Sequence, residues 1–192
     1  MVKSEKNKVN FNVSLKLKDR ALASASEGIT ISDPSRPDNP LIYVNKGFEN
    51  LTGYSAASVL GRNCRFLQGP LTNPDTAEQI RESIKAEKSC TVEILNYRKD
   101  GTTFWNRLSI TPVRDKTSRT THFIGVQSDI TARREAEEAL KSANKKMAED
   151  LNSAAQVQRA FLPHVLPKIE NIEFAWHFKP CEQLAGDILN II

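Results

Sequence analysis

The stretch GRNCRFLQG, Gly61 to Gly69, places one thiol between an amide and a guanidinium. The chain has only three cysteines, Cys64, Cys90 and Cys181, all far apart in sequence. They form no CxxC pair and no zinc-type cluster with His122, His164 or His177. A lone cysteine is by default a small buried hydrophobe. Any chemistry at Cys64 must therefore come from what surrounds it.

Strand parity supplies candidates. Side chains two apart on a strand share a face. Ile94 goes with Asn96, Asn106 with Leu108 and Ile110, and Phe123 with Gly125 and Gln127. Each of these faces is apolar with one amide. A buried amide without partners costs about 1–3 kcal/mol, so three of them need an explanation. They suit a flat heterocycle whose edge alternates carbonyl and N–H groups, because an amide offers both donors and acceptors. Equally, they satisfy one another or face water. Gly125 would let a ring approach the backbone. Arg65 beside the cysteine and Arg81 on the next helix have the planar fork that suits phosphate. Together they fit a phosphorylated flat cofactor with a thiol near its ring.

The elements that would position these groups read as follows. GITIS and LIYVN are strands separated by DPSRPDNP, a turn-forming segment with three prolines. KGFENLTGYS is a short helix ended by Gly53. Residues 73–88 form a helix capped by Asn73 or Thr72, with Pro74 in its first turn and Ala77, Ile80 and Ile84 on one face. SCTVEILNYRK and TTFWNRLSITPVR form a hairpin about Asp100-Gly101, and THFIGVQSDI is the fifth strand. The fold class is α+β, a five-stranded antiparallel sheet with helices on one face. It carries an N-terminal helix around Leu15–Ser26 and a long C-terminal helix.

That last helix has a seam. Ala136, Leu140, Ala143, Met147, Ala154, Val157 and Phe161 alternate by fours and threes, broken only by Asp150. The spacing predicts a coiled-coil homodimer over 132–162, or else a single helix laying its stripe on the sheet. Pro163 and Pro167 stop it. The predicted divisions are a tail and helix at 1–26, the sheet domain at 27–131, the linker at 132–162 and a further segment at 163–192.

Composition narrows the function class. The net charge of +4 lies wholly within residues 1–20, where six Lys or Arg face two acids. The remainder is balanced, so no nucleic-acid stripe is expected. There is no run of about 18 apolar residues and no signal-type apolar region near the N-terminus. A cytoplasmic chain with reduced thiols, no resident metal and no membrane partner is expected.

From about Gly28 to Thr131 the chain resembles the LOV (light, oxygen, voltage) subclass of PAS domains. GRNCRFLQG matches the motif of that family without a gap, supported by SDPSRPDNPLIYVN, GFENLTGYS, ILNYRKDGTTFWN and HFIGVQSDIT. The resemblance implies a photosensor that binds flavin mononucleotide (FMN) and forms a reversible cysteinyl–flavin C(4a) adduct through Cys64. It implies that Asn63, Arg65, Leu67, Gln68 and Arg81 help hold FMN, with the two arginines at its phosphate. By the same resemblance Asn96 and Asn106 bond the pyrimidine edge, and Gln127 reaches the N(5) and O(4) region. Phe48, Ile94, Leu108, Ile110 and Phe123 would line the ring pocket. Ser32 stands where several relatives have threonine, and Leu108 where several plant relatives have phenylalanine.

DITARREAEEAL resembles the Asp-Ile-Thr junction between PAS domains and signalling helices, with Asp129 and Thr131 as helix caps. AAQVQRAFLPHVLPKIENIEFAWHFKPCEQLAGD resembles the opening of PPM-type serine/threonine phosphatase domains from bacterial stress-response regulators. Asp187 matches the first metal-binding acid of that family, but Ala185 replaces a glycine and Asn190 stands where a second acid is expected. The expectation is a truncated effector without phosphatase activity, whose parent would act on an anti-sigma-type partner. A PAS-type dimerisation scaffold and a flavin redox enzyme using Cys64 are the competing readings.

Overall fold

The computed structural model describes residue 20 and residues 22–160. The predicted strands all form. They are β1 (Gly28–Ser32), β2 (Leu41–Val44), β3 (Cys90–Tyr97), β4 (Thr103–Arg114) and β5 (Thr120–Asp129). Between β2 and β3 lie α1 (Lys46–Thr52), α2 (Ala56–Val59), a 3-10 turn (Cys64–Leu67) and α3 (Pro74–Lys85). The long helix α4 spans Thr131–Ala160. The sheet is antiparallel in the order β2-β1-β5-β4-β3. The first and last strands of the domain therefore pair at its centre.

Local chemistry explains the ends of these elements. Asn73 caps α3, its Oδ1 accepting from the backbone N–H groups of Asp75 at 2.8 Å and Thr76 at 3.2 Å. Thr72, the other candidate cap, instead accepts from Gly69 N and donates to the Leu95 carbonyl. Asp100 closes the β3–β4 turn by accepting from Thr102 N at 2.9 Å, with Gly101 at φ 85°. The short α2 was not anticipated. At four residues it is too brief for a periodic signal.

The helix α4 begins at Thr131, two residues after Asp129. Asp129 does cap, its Oδ1 accepting from Thr131 N at 2.9 Å. Thr131 does not. Its hydroxyl accepts from Trp105 N on β4 at 2.9 Å, tying the helix start to the sheet.

Apolar packing falls into two clusters. One joins Leu41, Val44, Phe48, Val59 and Leu67. The other joins Ile80, Val92, Ile94, Ile110 and Phe123 between α3 and the sheet. The chain divides into two units at residues 134 and 135. In the second, residues 135–160 are helical, and Leu140, Met147 and Val157 are exposed. Those three members of the predicted stripe are thus exposed among the described residues. Phe161, Pro163, residues 161–192 of the phosphatase-like segment and half of the predicted Leu15–Ser26 helix lie outside the described residues; residues 20 and 22–24 are helical.

Asn45 holds the N-terminal side together. Its buried Oδ1 accepts from Ile29 N at 2.7 Å and caps α1 through Phe48 N at 2.9 Å. Its Nδ2 donates to the carbonyls of Leu22 at 2.9 Å and Glu27 at 3.0 Å. Asn45→Ala removes a cap and leaves buried groups unpaired, so a loss of about 2–3 kcal/mol in urea unfolding is expected. A loss below about 1 kcal/mol would show that water replaces these bonds.

Candidate functional site

The sheet and the helices enclose a cavity of about 620 Å³, within the size range of small-molecule sites. Its sheet side is built by strand parity. Thr30 and Ser32 come from β1, Ile94 and Asn96 from β3, Asn106, Leu108 and Ile110 from β4, and Phe123, Gly125 and Gln127 from β5. Register brings these pairs together, with Ile94 opposite Asn106, Leu108 opposite Gln127 and Ile110 opposite Gly125. The other side comes from Asn63, Cys64, Arg65, Leu67 and Gln68, and from Ala77, Ile80, Arg81, Ile84 and Lys85 on α3.

The amides are the informative part. Asn106 and Gln127 are each 1 % exposed and Asn96 is 4 % exposed. Asn106 Nδ2 donates to Asn96 Oδ1 at 2.9 Å, and Asn96 Nδ2 donates to the Leu95 carbonyl at 3.2 Å. Mutual satisfaction stops there. Asn106 Oδ1, Gln127 Oε1 and Gln127 Nε2 are buried with no hydrogen-bond partner. With Asn39 Oδ1, which is likewise buried and unpartnered, three free acceptors and one free amide donor sit on residues of the cavity wall.

Cys64 lines the same cavity. Burial pushes its thiol up to about 12, and the nearby Gln127 amide offsets part of that shift. The amide's approach falls short of hydrogen-bond geometry. Cys64 keeps partial accessibility because it borders the cavity, although it lies deep in the fold. Its 3-10 turn is anchored at both ends. Asn63 Oδ1 accepts from Arg65 N at 3.0 Å, and Asn63 Nδ2 donates to the Asp38 carbonyl at 2.6 Å. Gly69 lies against the Tyr97 ring, where an added Cβ would come within 2.4 Å of Cε2. Only glycine permits that approach.

One expected placement needs correction. Phe48 does not border the cavity. It is fully buried in the cluster with Leu41, Val44, Val59 and Leu67, because the Asn45 cap fixes the first turn of α1 there. Gly125 does border the cavity, and the protein itself gives a second reason for glycine there. An added Cβ would meet Thr30 Oγ1 at 2.6 Å, the residue directly opposite on β1.

The cavity mouth carries more charge than expected. Arg65 Nη1 lies 2.6 Å from Asp38 Oδ1, Arg81 pairs with Glu78, and Arg36 Nε lies 2.9 Å from Asp33 Oδ2. Thr30, Arg36, Asp38, Asn39 and Lys85 border the cavity but were missed by sequence reasoning. Lys85 was accessible to it, lying four residues after Arg81 and eight after Ala77 on one helical face. No metal-holding group of three or more ligands occurs among the described residues, and no described helix is long and apolar enough to cross a membrane.

An α+β domain with a five-stranded antiparallel sheet in the order β2-β1-β5-β4-β3, helices inserted between β2 and β3 and a ligand-sized hollow has the PAS-type architecture. The PAS domain model matches residues 26–132. The chain is 48% identical to phototropin-2 of Oryza sativa subsp. japonica over 119 residues, covering 62% of this chain and 13% of that protein. It is 46% identical to the blue-light photoreceptor of Listeria monocytogenes over 121 residues, covering 63% of this chain and 46% of the relative. The solved LOV domain of the blue-light activated histidine kinase EL346 of Erythrobacter litoralis superposes with a TM-score of 0.53 at 46% identity, covering 55% of this chain and 96% of that one. The chain belongs to the PAS family, and this domain to its LOV blue-light photoreceptor class. It spans less than half the length of the two curated relatives.

With its thiol raised to about 12, Cys64 holds on the order of one thiolate in ten thousand at pH 8. Alkylation of Cys64 by iodoacetamide, followed by mass spectrometry, is therefore expected to be slow at pH 8 and to accelerate about tenfold per pH unit from pH 8 to 10, with no plateau near the ordinary thiol range. Rapid labelling at pH 8 would contradict this placement of the thiol.

Proposed function

We propose that the chain is a blue-light sensor that holds FMN in this cavity and uses Cys64 as its photoactive thiol. The observation that carries this reading is the meeting of a deep thiol with four unpartnered amide atoms, on Asn39, Asn106 and Gln127, around one cavity. The residues fit the group. Asn96 and Asn106 serve the polar edge of the ring, with Asn106 Oδ1 as an open acceptor. Ile94, Leu108, Ile110, Phe123 and Leu67 form apolar walls. Ser32, Asn63 and Gln68 border the remainder, and Arg65 and Arg81 offer guanidinium donors to the phosphate.

Bound flavin would supply blue-light absorption, an electrophilic ring carbon for the Cys64 sulfur and a ring nitrogen to receive the thiol proton. The chain's own part is then to release the thiol proton and to answer the change at the ring edge. Gln127 is suited to that answer. Both of its amide atoms are unpartnered, so rotation exchanges acceptor for donor. Its neighbour Ser128 donates to Glu27 Oε1 at 2.6 Å, and Asp129 holds both Thr131 N and, at 2.6 Å, Arg98. A shift of β5 at Gln127 therefore reaches the N-terminal segment and the start of α4 together.

The output assigned to α4 is a homodimer through the Leu140, Met147 and Val157 stripe, whose exposure supports an outside partner. Control of a PPM-type phosphatase effector containing Asp187, acting on an anti-sigma-type regulator in the cytoplasm, is proposed from the sequence resemblance. The sensor itself turns over no substrate.

The test is the visible absorption spectrum of the full chain in the dark, under blue light and after return to darkness. A structured flavin band that bleaches and recovers is expected. Cys64→Ala is expected to keep the band and lose the bleaching, and reversible bleaching in that variant would exclude Cys64 as the photoactive group. Gln127→Leu is expected to retain bleaching while losing any light-dependent change in helicity or oligomeric state, read by circular dichroism and sedimentation. An unchanged structural response would remove Gln127 from the relay.

A further inference from the structure

The cavity mouth carries four cations, Arg36, Arg65, Arg81 and Lys85. Each arginine already has a carboxylate, from Asp33, Asp38 and Glu78 respectively. Lys85 is exposed on α3 and has no ion pair among the described residues. The mouth's single net positive charge is therefore that of Lys85.

The arginines and the lysine do different work. An arginine that meets its carboxylate through one nitrogen keeps other donors in its fork, so it can still orient a phosphate. Its charge, however, is already countered. The backbone that carries Asp38 is held in place. Asp38 has φ 68°, Asn39 after it has φ 47°, and its carbonyl accepts from Asn63 Nδ2 at 2.6 Å. A phosphate arriving at Arg65 thus meets the Asp38 carboxylate paired beside it. The unpaired lysine is a compact point charge on a flexible stem, suited to compensate for that charge without a fixed geometry.

We propose that Lys85 makes this site selective for a phosphorylated over an unphosphorylated ligand, with Asp38 opposing it. This rests on the reading of the cavity as a flavin site. The test is equilibrium binding of FMN and of riboflavin, followed by flavin fluorescence, to the full chain stripped of flavin. Lys85→Gln is expected to weaken FMN about fivefold, the scale of one partly screened ion pair, while leaving riboflavin unchanged. Asp38→Asn is expected to tighten FMN and leave riboflavin unchanged. Both effects should shrink at roughly half-molar salt.

If Lys85→Gln leaves the ratio of the two affinities unmoved, or weakens both flavins alike, this assignment is wrong while the flavin site stands. If the wild-type chain binds neither flavin, both readings fall. The ratio, rather than the FMN affinity alone, separates a charge effect from damage to α3, because damage would move both ligands.

Discussion

The domain is organised around a space that its own side chains do not fill. A sheet of this size would ordinarily close on one continuous core. Here the apolar residues form two clusters, one around Phe48 and Leu67 and one around Ile94 and Phe123, with the cavity bordered by members of both. Buried on its walls are polar atoms at Asn106 and Gln127 that no protein group satisfies. Each such atom works against folding, at about 1–3 kcal/mol. A ligand that meets these atoms binds the folded state only, so its affinity adds directly to stability. The same defect that makes the core expensive makes it responsive.

Responsiveness needs a rigid frame, and the strand order provides one. Because β5 lies between β1 and β4, Gln127 is held by ladders on both sides. The side chain can rotate, but the backbone cannot slip by one residue without turning every cavity residue of β5 outward. Immediately after it, Ser128 and Asp129 make side-chain bonds to Glu27, Thr131 and Arg98. Arg98 in turn lies over the Phe104 ring. On the far side of the junction, Arg134 lies over Trp105, and both Arg133 and Arg134 meet Glu93. The helix start is thus fastened to strands that themselves carry cavity residues.

Period-two alternation made most of the sheet side of the site legible. The side chains of Ile94, Asn96, Asn106, Leu108, Ile110, Phe123 and Gln127 border the cavity as parity requires. Parity could not decide whether the three amides satisfy one another. The register answers that with one bond between Asn96 and Asn106, leaving the rest open. The proline-rich segment from Asp33 to Pro40 has no period, so Arg36, Asp38 and Asn39 carried no signal of their place at the mouth. Phe48 was misplaced because a short helix shows which residues are apolar but not which neighbour they meet. Thr30 was overlooked because its role appears only when β1 is laid against Gly125.

The chemical state of Cys64 separates the competing readings of the site. Redox catalysis by a cysteine uses the thiolate, and such cysteines have depressed pKa values near cations or helix N-termini. Here the largest influence on Cys64 is desolvation, which raises it to about 12. The adjacent Arg65 does not reverse this, since its guanidinium is at the rim with Asp38. A thiol in this state is a poor nucleophile at neutral pH and stays inert until something beside it becomes far more electrophilic. Light acting on a bound chromophore supplies that condition on demand, whereas a dark redox cycle does not. A pure scaffold has the opposite difficulty. It would have no use for a hollow lined with unpartnered amides, which a better packed core would remove at a gain in stability. The raised thiol and the orphaned amides therefore weigh against different alternatives, and the proposed sensor is the reading that uses both.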